Sequence, residues 1–183
     1  RGYKGGGVTT LVVFAKEPEP GKVKTRFTPP CSPNEAVALY RAFVRDTLAL
    51  AEASRCERHV LAYSASDHPR WLEAAGGNRW LLFDQGPGDL GERLVRVTRH
   101  FLPDGPVVVI GSDSPTLPPA FIDDAAAALA TCDVVLGPTE DGGYYLVGLQ
   151  KPLPEIFRDI PWSTNAVFER TVEPIEKRRI SWY

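Results

Sequence analysis

The chain has no methionine, three cysteines and three histidines in 183 residues, and each shortage removes a class of chemistry. Cys31, Cys56 and Cys132 are far apart and odd in number, which makes neither a disulfide framework nor a metal cluster. Few, scattered thiols fit a reducing compartment, so the expected location is cytoplasmic. His59, His68 and His100 sit in unrelated contexts, with no pair at metal-ligand spacing. None lies in a loop that otherwise looks purposeful, so no Ser-His-Asp hydrolase can be assembled. The apolar runs are far too short to span a bilayer, and no secretory signal pattern is present, which argues against stable membrane insertion. A formal net charge of -2 leaves no footprint for nucleic acid. A local basic cluster could still serve a phosphate-bearing small ligand. The chain does not start with methionine, so residues are expected to be missing at the start, and residues 1–7 read as a flexible leader.

What remains is an α/β pattern of ordinary composition, long enough for one domain over residues 8–183. Strands are expected at Thr9–Ala15, Val60–Tyr63, Trp80–Phe83, Val107–Ile110 and Val134–Gly137, with a further strand from Tyr144. Ser32 and Glu35 form a capping box, with Pro33 at the first helical position, for a long helix carrying Leu39, Tyr40, Phe43, Val44, Thr47, Leu48 and Ala51. Shorter helices are expected near Pro69–Ala75 and after Asp89, which has with Glu92 the spacing of a cap and its third helical residue, and where Leu90, Leu94, Val97 and Phe101 mark one face. Another starts at Pro118-Pro119, with Phe121, Ile122, Ala125, Ala128 and Leu129 turned inward. The last carries Val167, Phe168 and Val172 and is capped by Ser163 or Thr164. The tail from Glu173 shows no clear element. The Asp141-Gly142-Gly143 turn joins two apolar runs too closely for a parallel crossover, so the sheet is expected to be mixed.

Chemistry concentrates at the strand ends. Val107–Ile110 reads as a strand buried on both faces, and it stops at Gly111-Ser112-Asp113-Ser114-Pro115. In open α/β sheets, ligands bind beyond the carboxyl ends of the strands, which makes Asp113 a candidate catalytic residue and metal ligand. The first strand runs into Lys16-Glu17-Pro18-Glu19-Pro20-Gly21-Lys22-Val23-Lys24-Thr25-Arg26. Lys16, Lys22, Lys24 and Arg26 could clamp a phosphate-bearing ligand, with Thr25, Ser112 and backbone donors near Gly21 assisting. The loop is neither a P-loop nor a dinucleotide fingerprint. Arg93 falls in the first turn of a helix, where a cation opposes the dipole; either a salt bridge to Glu92 or Asp89 or a ligand phosphate would account for it. Glu140 and Asp141 follow the strand at Val134, which is expected to neighbour the one ending at Asp113. Carboxylates there suit Mg²⁺ or Mn²⁺ bridging to phosphate oxygens, with lysine neutralising a diphosphate leaving group from the other side. Asp141 is the best candidate general base. Tyr144 or Tyr145 is expected to face the crevice, and Trp162 could stack on a base or sugar or pack in the core.

Five ordered motifs, spanning about residues 9–172, resemble a bacterial family of uncharacterised glycosyltransferase-like proteins, known as DUF2064 or "transferase 1". They are Phe14 to Arg26; Asp89-Leu90-Gly91-Glu92-Arg93; Gly111 to Pro115; Gly137-Pro138 with Asp141-Gly142-Gly143-Tyr144-Tyr145-Leu146; and Trp162-Ser163-Thr164. The resemblance implies a GT-A-like three-layer α/β/α sandwich with a mixed, mostly parallel sheet, as in nucleotide-diphospho-sugar transferases. Molybdenum-cofactor guanylyltransferase-like and phospholactate guanylyltransferase-like enzymes have related folds. It implies that Asp113 holds a metal at the end of the fourth strand and that Lys16 to Arg26 wraps nucleotide phosphates. It implies that Asp141 lies near the acceptor or a second metal contact. Glu140, Gly142, Gly143, Tyr144, Trp162, Ser163 and Thr164 then fall on the acceptor side. The sequence departs from transferases with an Asp-x-Asp pair, because Gly111 stands two before Asp113. The family also continues past a Trp-Tyr pair with an Asp-Val-Asp-like segment, whereas this chain stops at Trp182-Tyr183.

Three functions remain open. The first is metal-assisted glycosyl transfer from a nucleotide-diphospho-sugar to a small acceptor. The second is nucleotidyl transfer with pyrophosphate release, which the lysine-rich loop suits. The third is a non-catalytic nucleotide-binding protein. An exposed sheet edge would also allow a homodimer.

Overall fold

In the computed structural model, residues 7–64 and 67–183 are described; apart from Gly7, the expected leader lies outside the described residues. Six strands form one sheet: β1 (Thr10–Lys16), β2 (Arg58–Ser64), β3 (Leu81–Asp84), β4 (Val107–Gly111), β5 (Val134–Pro138) and β6 (Tyr144–Leu149). Their order across the sheet is β3-β2-β1-β4-β6-β5. The first four in that order are parallel, and β6 runs antiparallel to both β4 and β5. The mixed, mostly parallel sheet therefore agrees with the sequence reading. One expectation is corrected. β5 does not neighbour β4, because the hairpin folds β6 back into the gap between them.

Five helices cover the sheet: α1 (Pro33–Glu52), α2 (Arg70–Gly76), α3 (Leu90–Phe101), α4 (Pro119–Ala128) and α5 (Val167–Lys177). The central strands are buried on both faces, so alternate residues feed two cores. Leu11, Val13, Val108 and Ile110 pack with α1, α2 and α4 on one side. Val12, Val107, Val109 and Val147 pack with α3 and α5 on the other. This is the three-layer α/β/α arrangement. Among the described residues, no helix is long and apolar enough to cross a membrane.

Both expected capping boxes are present. Ser32 Oγ accepts from the Glu35 N–H, and Asp89 Oδ1 accepts from the Glu92 N–H at 2.8 Å, with each glutamate bonding back. At four places the structure departs from the sequence reading. Leu90 and Phe121 are not in the core but 41% and 48% exposed. The last helix is capped by neither Ser163 nor Thr164. Its N-cap is Ala166, and the Thr164 hydroxyl braces the preceding turn, accepting from the Ala166 N–H at 3.3 Å. The tail is ordered. α5 continues through Pro174 to Lys177, and residues 181–183 then lie parallel to β5, with Tyr183 N–H donating to Val134 O at 3.0 Å. They cover that edge of the sheet and leave β3 as the open one, with Leu81 54% exposed.

β4 should therefore be the most sensitive strand. Ile110→Ala, under the carboxyl end of β4, should lower the urea unfolding free energy by about 3 kcal/mol, with the slope unchanged.

Candidate functional site

The order of strand growth reverses at β1, whose two neighbours are β2 on one side and β4 on the other. The helix that follows β1, α1, and the helix that precedes β4, α3, lie on opposite faces of the sheet, and ligands of open α/β sheets bind beyond the carboxyl ends of the strands at such a reversal. A cleft of about 640 Å³ lies there.

The loop after β1 is built inward from its buried residues. Glu17 is 9% exposed and accepts from the Trp71 and Leu72 N–H groups at 2.9 and 3.2 Å, so it clamps the start of α2. Val23 is 4% exposed and anchors the middle of the loop in the core. Lys24 follows with a left-handed backbone, φ 50° and ψ 36°. This conformation costs a non-glycine residue about 1 kcal/mol or more, and it turns the side chain into the cleft. Lys24 Nζ lies 3.0 Å from Asp113 Oδ1, 4.5 Å from the centre of the Phe43 ring and 5.8 Å from that of Phe27. Lys22 instead pairs outward with Glu19 at 2.6 Å.

Tyr40 ties the two strand tips together. Its hydroxyl accepts from the Lys16 N–H at 2.9 Å and lies 3.0 Å from Ser112 Oγ. Burial pushes the phenol above its ordinary range, and the negative charges of Asp113 and Glu17 add to the effect. Gln85 is the matching brace from the far side, donating from Nε2 to Ala62 O at 2.7 Å and to Ala15 O at 3.4 Å. The Arg96 guanidinium holds this loop through the Gln85 and Pro87 carbonyls.

The cleft brings together Lys16, Lys22, Lys24, Thr25, Arg26 and Arg93 with Ser112, Asp113 and Ser163. It therefore has five cations and one carboxylate among its lining residues. Arg93 makes no salt bridge to Glu92 or Asp89, and its Nε is buried with no hydrogen-bond partner among the described residues. An unpaired buried donor beside four other cations points to an anionic ligand.

The remaining sequence candidates lie elsewhere. Gly21 shapes the loop at φ 76° but does not line the cleft. Glu140, Asp141, Gly142, Gly143 and Tyr144 belong to the β5–β6 hairpin, whose β6 arm pairs with β4, and none of them lines the cleft. The Thr139 hydroxyl donates to Asp141 Oδ1 at 2.5 Å, and the Gly143 N–H adds a second bond at 3.3 Å. These bonds hold the Asp141 carboxyl below its usual range, which keeps it charged and makes it a weak proton acceptor. Gly142, at φ 83°, is required by close approach, since a Cβ there would lie 2.1 Å from Asn165 O. The residues before α5 thus grip the hairpin, and Phe168 N–H donates to Gly142 O at 2.8 Å. Neither Tyr144 nor Tyr145 faces the cleft. Tyr144 packs edge-on to Trp162, and Tyr145 packs on the opposite face of the sheet, near Phe121. Trp162 is packed against Gly91, at the start of α3, and Thr164 serves its turn. Tyr40, Ser64 and Gln85 line the cleft but belong to none of the five motifs, and Leu90, within one of them, lines it too. Leu90 was detectable as an apolar residue in the first turn, ahead of the buried stripe.

Among the described residues, no three His, Cys, Asp or Glu side chains gather as a metal site. The donor set fits a divalent cation in one way. Mg²⁺ and Mn²⁺ accept one carboxylate when phosphates of a bound ligand supply the rest, and Asp113, 70% exposed at its side chain, is such a carboxylate.

The matching family model, over residues 47–164, describes an uncharacterized protein conserved in bacteria (DUF2064). A Desulfovibrio desulfuricans protein, described as a candidate nucleotide-diphospho-sugar transferase, is 33% identical with a TM-score of 0.88, covering 96% of this chain and 78% of its own. A nucleotidyl transferase from Methanothermobacter has a TM-score of 0.63 at 15% identity, covering 97% of this chain and 86% of its own. A Leptospira borgpetersenii cytidylyltransferase has a TM-score of 0.60 at 11% identity, covering 97% and 75%. These last two share the fold. No curated protein matches the sequence.

Tyr40→Phe removes one hydroxyl and no packing. It should cost about 1–3 kcal/mol in chemical denaturation, because the Lys16 N–H and the Ser112 hydroxyl lose their shared partner. Thr139→Val should move the Asp141 carboxyl up towards its ordinary range in an NMR titration. Wild-type Asp141 therefore contributes stability that is present above the usual carboxylate range and lost as pH falls through its own lower value.

Proposed function

The chain belongs to the DUF2064 family of bacterial proteins, and from that premise we propose that it is a transferase acting on a nucleotide-activated donor. The observation that carries this reading is the cleft at the β1–β4 reversal, where five cations surround one carboxylate. Glycosyl transfer from a nucleotide-diphospho-sugar is the reaction it supports best. The described activity of the Desulfovibrio relative is of that class.

In this reading Lys16, Lys22, Lys24 and Arg26 bind the diphosphate along one wall, and Arg93 completes the ring from α3. Charge grows on the diphosphate as the anomeric bond breaks, and preplaced cations stabilise that charge without reorganising. Ser112 and Thr25 orient phosphate oxygens. Tyr40 and Gln85 hold the strand tips so that the cations converge. Asp113 would hold Mg²⁺ or Mn²⁺, which when bound supplies further neutralisation of the phosphate oxygens. The hairpin with Glu140, Asp141, Gly142, Gly143 and Tyr144, and the Trp162–Thr164 segment, border the acceptor side. Asp141, its carboxyl held below the usual range by the Thr139 hydroxyl and the Gly143 N–H, acts there as a hydrogen-bond acceptor for a hydroxyl rather than as a strong base. The same cation count favours a second reading. A triphosphate carries more charge than a diphosphate, so nucleotidyl transfer with pyrophosphate as leaving group is the alternative.

Calorimetric titration with UDP-sugars, GDP-sugars, GTP and CTP, each with and without Mn²⁺, tests both. A nucleotide-diphospho-sugar should bind, and product analysis should show a free nucleoside diphosphate. Pyrophosphate release from a triphosphate would select the second reading, and no binding of any nucleotide would contradict both. Arg93→Met separates a ligand role from a structural one. It should weaken nucleotide binding by about tenfold or more, with no loss of thermal stability, since no protein partner is given up.

A further inference from the structure

We infer that Lys24 is a built-in counter-ion that keeps a divalent cation off Asp113 until a phosphate ligand draws its ammonium away. The inference rests on the nucleotide reading of the cleft and adds an order of events to it. Asp113 is the sole carboxylate among the cleft-lining residues, and Lys24 Nζ already sits 3.0 Å from its Oδ1. The two partners are unequal. The Lys24 side chain is 13% exposed and that of Asp113 70%. Asp113 could thus exchange its partner for water or metal at little cost, whereas a largely buried ammonium needs a replacement anion before it moves.

The placement is built rather than incidental. Phe43 and Phe27 flank the ammonium, and the left-handed backbone at Lys24 is retained against its steric cost. A dication entering beside a fixed ammonium is repelled, and a carboxylate shared with lysine is a weaker ligand than a free one. A diphosphate changes both terms. It offers Lys24 a new anion and offers the metal its remaining oxygens. Metal and phosphate should therefore raise each other's affinity, with Lys24 as the element that both displace.

The test uses the full chain, with Lys24→Met retaining the apolar stem between the two rings. Two probes are titrated separately: Mn²⁺ alone, followed by the resonance of the free ion, and inorganic pyrophosphate alone, in chelator. Lys24→Met should bind Mn²⁺ at least about tenfold more tightly than wild type and pyrophosphate about tenfold more weakly. The gain in Mn²⁺ binding should vanish in the Lys24→Met/Asp113→Asn double variant. Lys24→Gln, compared by melting temperature, gives the same pair of signs if the methionine variant is poorly folded. Equal Mn²⁺ affinity in wild type and variant, a gain that survives the loss of Asp113, or shifts of both probes in one direction would overturn the exchange while leaving the nucleotide site standing. Failure of wild type to bind pyrophosphate or any nucleotide would overturn the site reading and the exchange together.

Discussion

Two parallel strands that part at their carboxyl ends are the constraint on which the rest of the structure depends. β1 and β4 pair from Thr10 with Val107 to Phe14 with Gly111, and beyond that register they have no further bonds to exchange. Every feature of the cleft is a response to that opening. Tyr40 spans it from α1, Gln85 braces its floor, and Val23 and Glu17 fasten the basic loop that crosses it. None of these four carries charge into the cleft. Their effect is to fix the backbone from which Lys16, Lys24 and Asp113 project, so that only side chains need move when an anion arrives.

The electrostatic design is one-sided. Five cations lining one cleft in a protein of net charge -2 must be held apart from the acidic surface that balances them. Glu19 neutralises Lys22 at the rim, and Asp113 neutralises Lys24 at the centre, while Arg93 has a buried nitrogen without a partner. Like charges gathered in this way destabilise the empty state, and an anionic ligand returns that energy as affinity.

Local features were legible in the sequence, and long-range ones were not. The capping boxes at Ser32 and Asp89 depend on residues three apart, so they could be read directly, as could the doubly buried β4 and the basic loop. The insertion of β6 between β4 and β5 could not, because the hairpin turn fixes antiparallel pairing but not which further strand the hairpin joins. That insertion puts the β6 arm of the hairpin, rather than β5, beside β4. Tyr40 looked like one more residue of an apolar helical stripe. Its role depends on a hydroxyl 72 residues away in sequence, for which no local pattern exists. The tail from Glu173 is charged and shows no clear element in sequence, whereas α5 continues through Pro174 to Lys177.

The central claim is that a nucleotide diphosphate binds across the β1–β4 tips and takes Lys24 from Asp113. A crystal structure of the chain soaked with a nucleoside diphosphate and Mn²⁺ tests it most directly. The account predicts the diphosphate against Lys24 and Arg93, with the Lys24–Asp113 contact broken and Asp113 turned to the metal. Phosphates seated away from these strand tips, or a bound diphosphate beside an intact Lys24–Asp113 pair, would contradict it.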